Sequence, residues 1–241
     1  MIHKLRIVAA ALALIGLSSA AWSVDIPKVT QLPDMFSGWN LQSQWDAIDG
    51  EPNVIRADNW WCPDGRPITD VHWWGSYLFN QIPQENMTFE ISIHANDPGT
   101  NLPGQLLYRE MFDLDPRGIA SEGLDANQEE VFQYKVYLET PFQQTEGEIY
   151  WLDIVALTPD QKRWPMWGWH TAIQAQMQEL EGAAITDAPP DPANPDRPDL
   201  DRPWQNAQYD MAFELTTIPE PSLVALFGLG VFAAWRRFRR P

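Results

Sequence analysis

Apolar residues fall on every second position in three stretches of this chain, and that period commits it to β-structure. In Met87–Ala95 ("MTFEISIHA"), Met87, Phe89, Ile91, Ile93 and Ala95 share one face, opposite Thr88, Glu90, Ser92 and His94. In "VFQYKVYLE", Phe132, Tyr134, Val136 and Leu138 stand against Gln133, Lys135 and Glu139. In "YDMAFEL", Tyr209, Met211, Phe213 and Leu215 stand against Asp210 and Glu214. A side chain that reverses its face at each residue fits a half-buried strand and no helix. "IYWLDIVAL", Ile149 to Leu157, is apolar almost throughout and reads as a central strand covered on both faces. "ITDVHWWGSYLF" and "QLLYREMFD" add two more strands, and "NDPGTNLPG", "DPRG" and "TPDQK" are turn formers between strands.

Strands at this spacing predict an all-β chain, an antiparallel β-sandwich of jelly-roll type. One stretch, Ala172–Gly182, is compatible with a short helix or an irregular excursion. The segment "ITDAPPDPANPDRPDLDRPW" is dense in Pro and Asp and resembles an interdomain linker. A good strand follows it, however, and that strand needs a sheet to join. The segment therefore reads as a long surface loop inside one domain spanning 22–217.

The two ends are of another kind. Met1 to Arg6 is basic, Ile7 to Leu17 is apolar, and "SSAAWS" supplies small residues, the pattern of a secretory signal peptide. Its apolar run is about half of the roughly 20 residues that span a bilayer. Removal is expected after Ala21, by the secretion machinery and signal peptidase, with Ser23 as the second choice. At the other end, 218–241, an apolar run from Ser222 to Trp235 finishes in Arg236, Arg237, Arg239 and Arg240. Arginines in that place keep the tail on the cytoplasmic side and halt export. The chain is thus expected to pass through the inner membrane and leave its body outside.

Of the 16 basic residues six lie at the ends, against one of the 33 acidic ones, so the body keeps 10 and 32 and a net charge of −22. Such a body repels nucleic acid and anionic lipid. It suits cation binding or plain solubility.

Pro219-Glu220-Pro221, the apolar run containing "GLG" and the arginine tail closely resemble, in that order, the PEP-CTERM sorting signal of Gram-negative bacteria. The resemblance implies that an exosortase, a membrane transpeptidase-like enzyme, recognises Pro219, Glu220 and Pro221. It also implies an association with extracellular polysaccharide and matrix. The alternative is a tail anchor that is never cut. "ADNWWCPDGRPITDVHWWGSYL", "FEISIHANDP", "PGQLLYRE", "YWLDIVA", "WGWHTA" and "YDMAFEL" together resemble an uncharacterised β-domain of exported bacterial proteins, over about Gln44 to Thr217. That resemblance implies one β domain and no particular chemistry.

No pattern of residues points to catalysis. There is no GxSxG, and the abundance of carboxylates makes any acidic pair uninformative. Cys62 is the only cysteine, which excludes an intramolecular disulfide and a cysteine-based zinc site. His72, His94 and His170 lack metal-binding spacing. No resident cofactor is expected apart from Ca2+, for which Asp125–Glu130 ("DANQEE") and the loop bearing Asp187, Asp191, Asp196, Asp199 and Asp201 are the ligand sources. The doublets Trp60-Trp61 and Trp73-Trp74 should each send one indole to the core and one outward, and an outward indole is a platform for a sugar ring. Trp164, Trp167 and Trp169 form a third cluster. The reading is an exported, non-enzymatic surface or matrix protein that associates with exopolysaccharide. A secreted carbohydrate-active hydrolase and a purely structural envelope protein are the alternatives.

Overall fold

Two antiparallel sheets face each other across an aromatic core. The computed structural model describes residues 25–45, 54–158, 165–173, 183–186 and 204–218. Among these lie fourteen strands: β1 (Ile26–Gln31), β2 (Asn40–Gln42), β3 (Gln44–Trp45), β4 (Ile55–Trp61), β5 (Ile68–Tyr77), β6 (Met87–Asp97) and β7 (Leu102–Leu114), then β8 (Ser121–Leu124), β9 (Glu130–Phe142), β10 (Ile149–Leu157), β11 (Trp167–His170), β12 (Ala183–Thr186), β13 (Gln205–Ala207) and β14 (Phe213–Thr217). Two single 3-10 turns, Leu78–Asn80 and Pro116–Gly118, are the helical elements among the described residues. The signal peptide, the Pro-Glu-Pro motif with Pro219, Glu220 and Pro221, the arginine tail, the Asp-Pro loop and all but the start of Ala172–Gly182 lie outside the described residues. Pro27–Thr217 is one compact unit.

The first sheet is built on β5. β9 runs along one edge of it, and β14 and β11 share the other, with Phe213 opposite Trp73 and Trp169 opposite Gly75. β1 flanks β14, β2 flanks β11, and β8 flanks β9. The second sheet runs β13-β12-β4-β10-β6-β7, with β3 joined in parallel to the end of β10. The chain crosses between sheets after β2, β4, β5, β7, β9, β10, β11 and β13, as a jelly-roll-like sandwich requires.

Periodicity explains the core directly. Met87, Phe89, Ile91 and Ile93 of β6 and Phe132, Tyr134, Val136 and Leu138 of β9 all enter it. β10 is buried on both faces: Tyr150, Leu152, Ile154 and Ala156 face the core, and Trp151 and Val155 lie in clusters on the other side. At the centre Trp73 stacks on Tyr134 at 5.2 Å, and Phe89 meets both Trp73 and Trp167 edge-on. Ring faces and edges carry opposite partial charge, so such contacts add to area burial. Gly75 is needed here, because a Cβ on it would lie 2.5 Å from Trp167 Cζ2 and from the Gly168 carbonyl. In "YDMAFEL" the period holds only from Met211 onward: Met211, Phe213 and Leu215 are buried, while Tyr209 is exposed and precedes β14. Cys62 is a free, buried thiol.

Candidate functional site at the loop end of the sandwich

The tryptophan doublets are mostly core. Trp60 enters it, stacked on Tyr150 at 5.5 Å with its indole N–H donating to Gln144 Oε1, and only its neighbour Trp61 is exposed. Trp73 is central. Trp74 does turn to the opposite face, but Val131, Ala212 and Met35 pack over it and leave it 4% exposed. Trp60, Trp73 and Trp74 are therefore out of a ligand's reach, because a sheet face alternates while the loops laid over it do not. Trp167 and Trp169 are buried as well, and Trp164 lies outside the described residues.

The three histidines among the described residues occupy three separate places, each beside an aspartate. On the outer face of the first sheet, His72 Nε2 is 2.9 Å from Asp70 Oδ2 and its Nδ1 is 3.8 Å from Glu214 Oε1. On the outer face of the second, His94 Nε2 is 2.6 Å from Asp153 Oδ2. Burial of His94 opposes its charged form, but the hydrogen bond and charge of Asp153 outweigh that and hold its pKa above the ordinary value. Glu90 on the same face is paired with Arg109. His170 is fully buried near the end of β5, and that burial lowers its pKa. Its Nδ1–H donates to the Thr171 carbonyl at 2.9 Å, and its Nε2 stands 3.6 Å from Asp125 Oδ2.

That same end of the molecule presents three exposed aromatic rings. Phe36 is 93% exposed, Trp39 54% and Phe79 70%. Phe36 and Trp39 flank a turn built by Asp34, whose carboxylate accepts from the Phe36 and Ser37 N–H groups and from the Ser37 hydroxyl. Gly38 closes the turn with an N–H to the Asp34 carbonyl, and a Cβ there would lie 2.7 Å from His170 Cε1. Trp39 N–H then donates to Thr171 Oγ1. Phe79 sits in the 3-10 turn after β5 at φ 57°, ψ 25°, and Asn80 follows at φ 57°. Left-handed geometry is unusual for a non-glycine residue and strained for a bulky one.

One loop fastens these segments. Asp125 Oδ1 accepts from the N–H groups of Asn127 and Glu129 and so shapes the turn between β8 and β9, where Gln128 is also left-handed. Asn127 Nδ2 donates to the Gly38 carbonyl. Glu129 Oε1 accepts from Phe79 N–H. Asn80 donates through Nδ2 to the Gln128 carbonyl, and its Oδ1 accepts from Glu130 N–H. Asp125–Glu130 thus has a structural task that its acidity alone did not disclose. The aromatic residues beside it are isolated in sequence; "DMFSGWN", rings between turn formers, is the signal they leave.

Among the described residues no helix is long and apolar enough to cross a membrane, and the apolar tail lies outside them. Two solved structures are similar to part of this chain at low TM-scores. One contains the cysteine protease and lectin-like domains of Cwp84, a surface layer associated protein of Clostridium difficile: 8% identity, TM-score 0.37, covering 69% of this chain and 32% of that one. The other is the same Clostridial protease after propeptide cleavage: 10% identity, TM-score 0.35, with 69% and 36% covered. This chain spans about a third of their length. No curated protein matches. Residues 217–240 match the PEP-CTERM protein-sorting motif, which marks an exported protein handled at the membrane by exosortase-like machinery. Residues 27–216 match a domain of unknown function, DUF7901. The chain belongs to the DUF7901 family and ends in a PEP-CTERM sorting motif.

Proposed function

We propose that this exported protein is a non-enzymatic binding module for extracellular polysaccharide, retained in the cell envelope or matrix, with its sugar platform at the loop end of the sandwich. The observation that supports the reading is the exposure of Phe36, Trp39 and Phe79 on segments tied to one loop. Rings held in place lose little freedom when a sugar stacks on them, and the apolar face of a pyranose matches an aromatic face. The amide and acidic groups between the rings supply partners for hydroxyls.

The hydrolase alternative has one specific feature in its favour. Glu90 and Asp153 lie diagonally on one face of β6 and β10, since Ser92 is opposite Asp153 and Glu90 opposite Val155. Both are engaged, by Arg109 and His94, and both are buried. A carboxylate neutralised by a buried partner serves structure more readily than proton transfer.

Titration of the mature protein with the producing organism's exopolysaccharide, followed by tryptophan fluorescence, tests the reading. A saturable shift that Trp39→Ala weakens at least tenfold, with no release of reducing ends, is the expected result. Turnover would favour the hydrolase, and neither binding nor turnover would favour a purely structural envelope protein. The sorting step has its own measurement: the intact mass of the mature protein should lack Arg236, Arg237, Arg239 and Arg240. A mass that retains them would make the tail a permanent anchor.

A further inference from the structure

β7 is the outermost strand of the second sheet and pairs with β6 alone among the described residues, which leaves its far edge open. An open edge is a template for another strand, and proteins blunt most such edges with lysine, proline or a bulge. Here Pro103 and both register shifts of β7 against β6 fall between Pro103 and Tyr108. From Tyr108 to Leu114 the ladder is unbroken, seven residues without proline, glycine or lysine. No backbone hydrogen bond joins them to a described element other than β6. Alternation divides the segment: Tyr108, Phe112 and Leu114 pack against the core, and Arg109, Met111 and Asp113 take the outer face. Met111 is apolar and exposed.

The segment is complementary to itself. In an antiparallel pair related by a two-fold axis normal to the sheet, one residue lies opposite its own copy and its neighbours exchange across it. Centring the pair on Arg109 or on Glu110 sets like charges face to face, which destabilises it. Centring it on Met111 brings two thioethers together, sets Arg109 against Asp113 of the copy, and sets Tyr108 against Leu114. Met111 is also the midpoint of the unbroken seven residues, so this register uses all of them. Arg109 gives Nη2 to Glu90, and its Nε has no acceptor within the chain. We propose that β7 pairs with β7 of a second copy of this chain, antiparallel about a two-fold axis at Met111, and joins the two second sheets into one. The pairing covers the open edge of both copies and closes on itself, so assembly stops at a dimer. The two acidic bodies repel each other, and dimerisation should therefore tighten as salt screens them. This inference does not rest on the polysaccharide reading, because assembly is measured without sugar.

The test uses the mature protein in analytical ultracentrifugation over a series of concentrations. A reversible monomer–dimer equilibrium is expected. Met111→Lys sets two ammonium groups opposite each other and should raise the dissociation constant at least tenfold. Leu107→Lys, similarly exposed on the same strand but outside the paired segment, should leave it unchanged. Circular dichroism verifies folding of each variant. Oxidation reads the register. Residues directly opposite in an antiparallel pair have Cα atoms about 4.5–5.5 Å apart, a span that a disulfide bridges. Met111→Cys should therefore give a disulfide-linked dimer, whereas Leu107→Cys, roughly 27 Å out of register with its own copy, should not. The native Cys62 is buried and stays out of the reaction. A protein that is monomeric at every soluble concentration, or a dimer indifferent to Met111→Lys, overturns the pairing. Cross-linking as efficient through Leu107→Cys as through Met111→Cys overturns the register.

Discussion

His94 and Asp153 meet at 2.6 Å on the outer face of the second sheet, and His94 also contacts the Gly104 carbonyl through Nδ1. The pair raises the histidine above its unfolded value of about 6.5. Its contribution to stability is therefore full below that pH and is lost as pH rises through the folded-state value. His94→Gln should remove this slope from a plot of unfolding free energy against pH. It should also cost about 3–5 kcal/mol near pH 6, since it strands a buried carboxylate. An unchanged pH profile would refute the assignment.

His170 should show the opposite sign. Burial lowers its pKa, so the folded chain holds it neutral. The stability tied to that neutral form is present above about pH 6.5 and is lost as pH falls through the folded-state value. His170→Gln should flatten the acid limb and spare the alkaline one, as urea midpoints measured in steps of pH will reveal.

Phe79→Gly should separate stability from binding. Glycine accepts φ 57° freely, so relief of the left-handed strain should stabilise by about 1 kcal/mol. Removal of the ring should meanwhile weaken polysaccharide binding. The urea midpoint and the fluorescence titration move in opposite directions if Phe79 is part of the platform.

Gly38→Ala and Gly75→Ala should both destabilise, for different reasons. At Gly38 the new methyl meets the Asp34 carbonyl at 2.4 Å and His170 Cε1 at 2.7 Å, so the turn must open. At Gly75 it meets backbone and the Trp167 ring inside the core. Overpacking costs about 1–3 kcal/mol, and the Gly75 variant should be the worse because neither neighbour can yield. Denaturant midpoints give the ranking. Only the Gly38 variant is expected to alter binding at the loop end.

β6 and β9 were legible because half-burial forces the alternating period, and β10 was legible as a continuous apolar run buried on both faces. Short strands such as β2, β3 and β13 carry two or three residues each, too few for any period to show. Alternation foretold the outward Trp61 beside the buried Trp60, but not the burial of both members of the second doublet. Trp74 obeys alternation, yet Met35 and Ala212, remote in sequence, cover it. The acidity of Asp125 was visible in the sequence. The hydrogen bond it accepts from Asn40 was not, since Asn40 lies 85 residues before it on β2.

β14 lies between β1 and β5, so the last strand of the domain is an interior member of its sheet and the first strand its outer neighbour. A chain exported from its N-terminus delivers β1 at the start and β14 at the end, and the first sheet cannot close until both are across. Contacts this distant along the chain form late. The sorting motif begins at residue 217, where β14 ends. Along the chain, the sorting motif therefore begins at the strand on which closure of the first sheet depends.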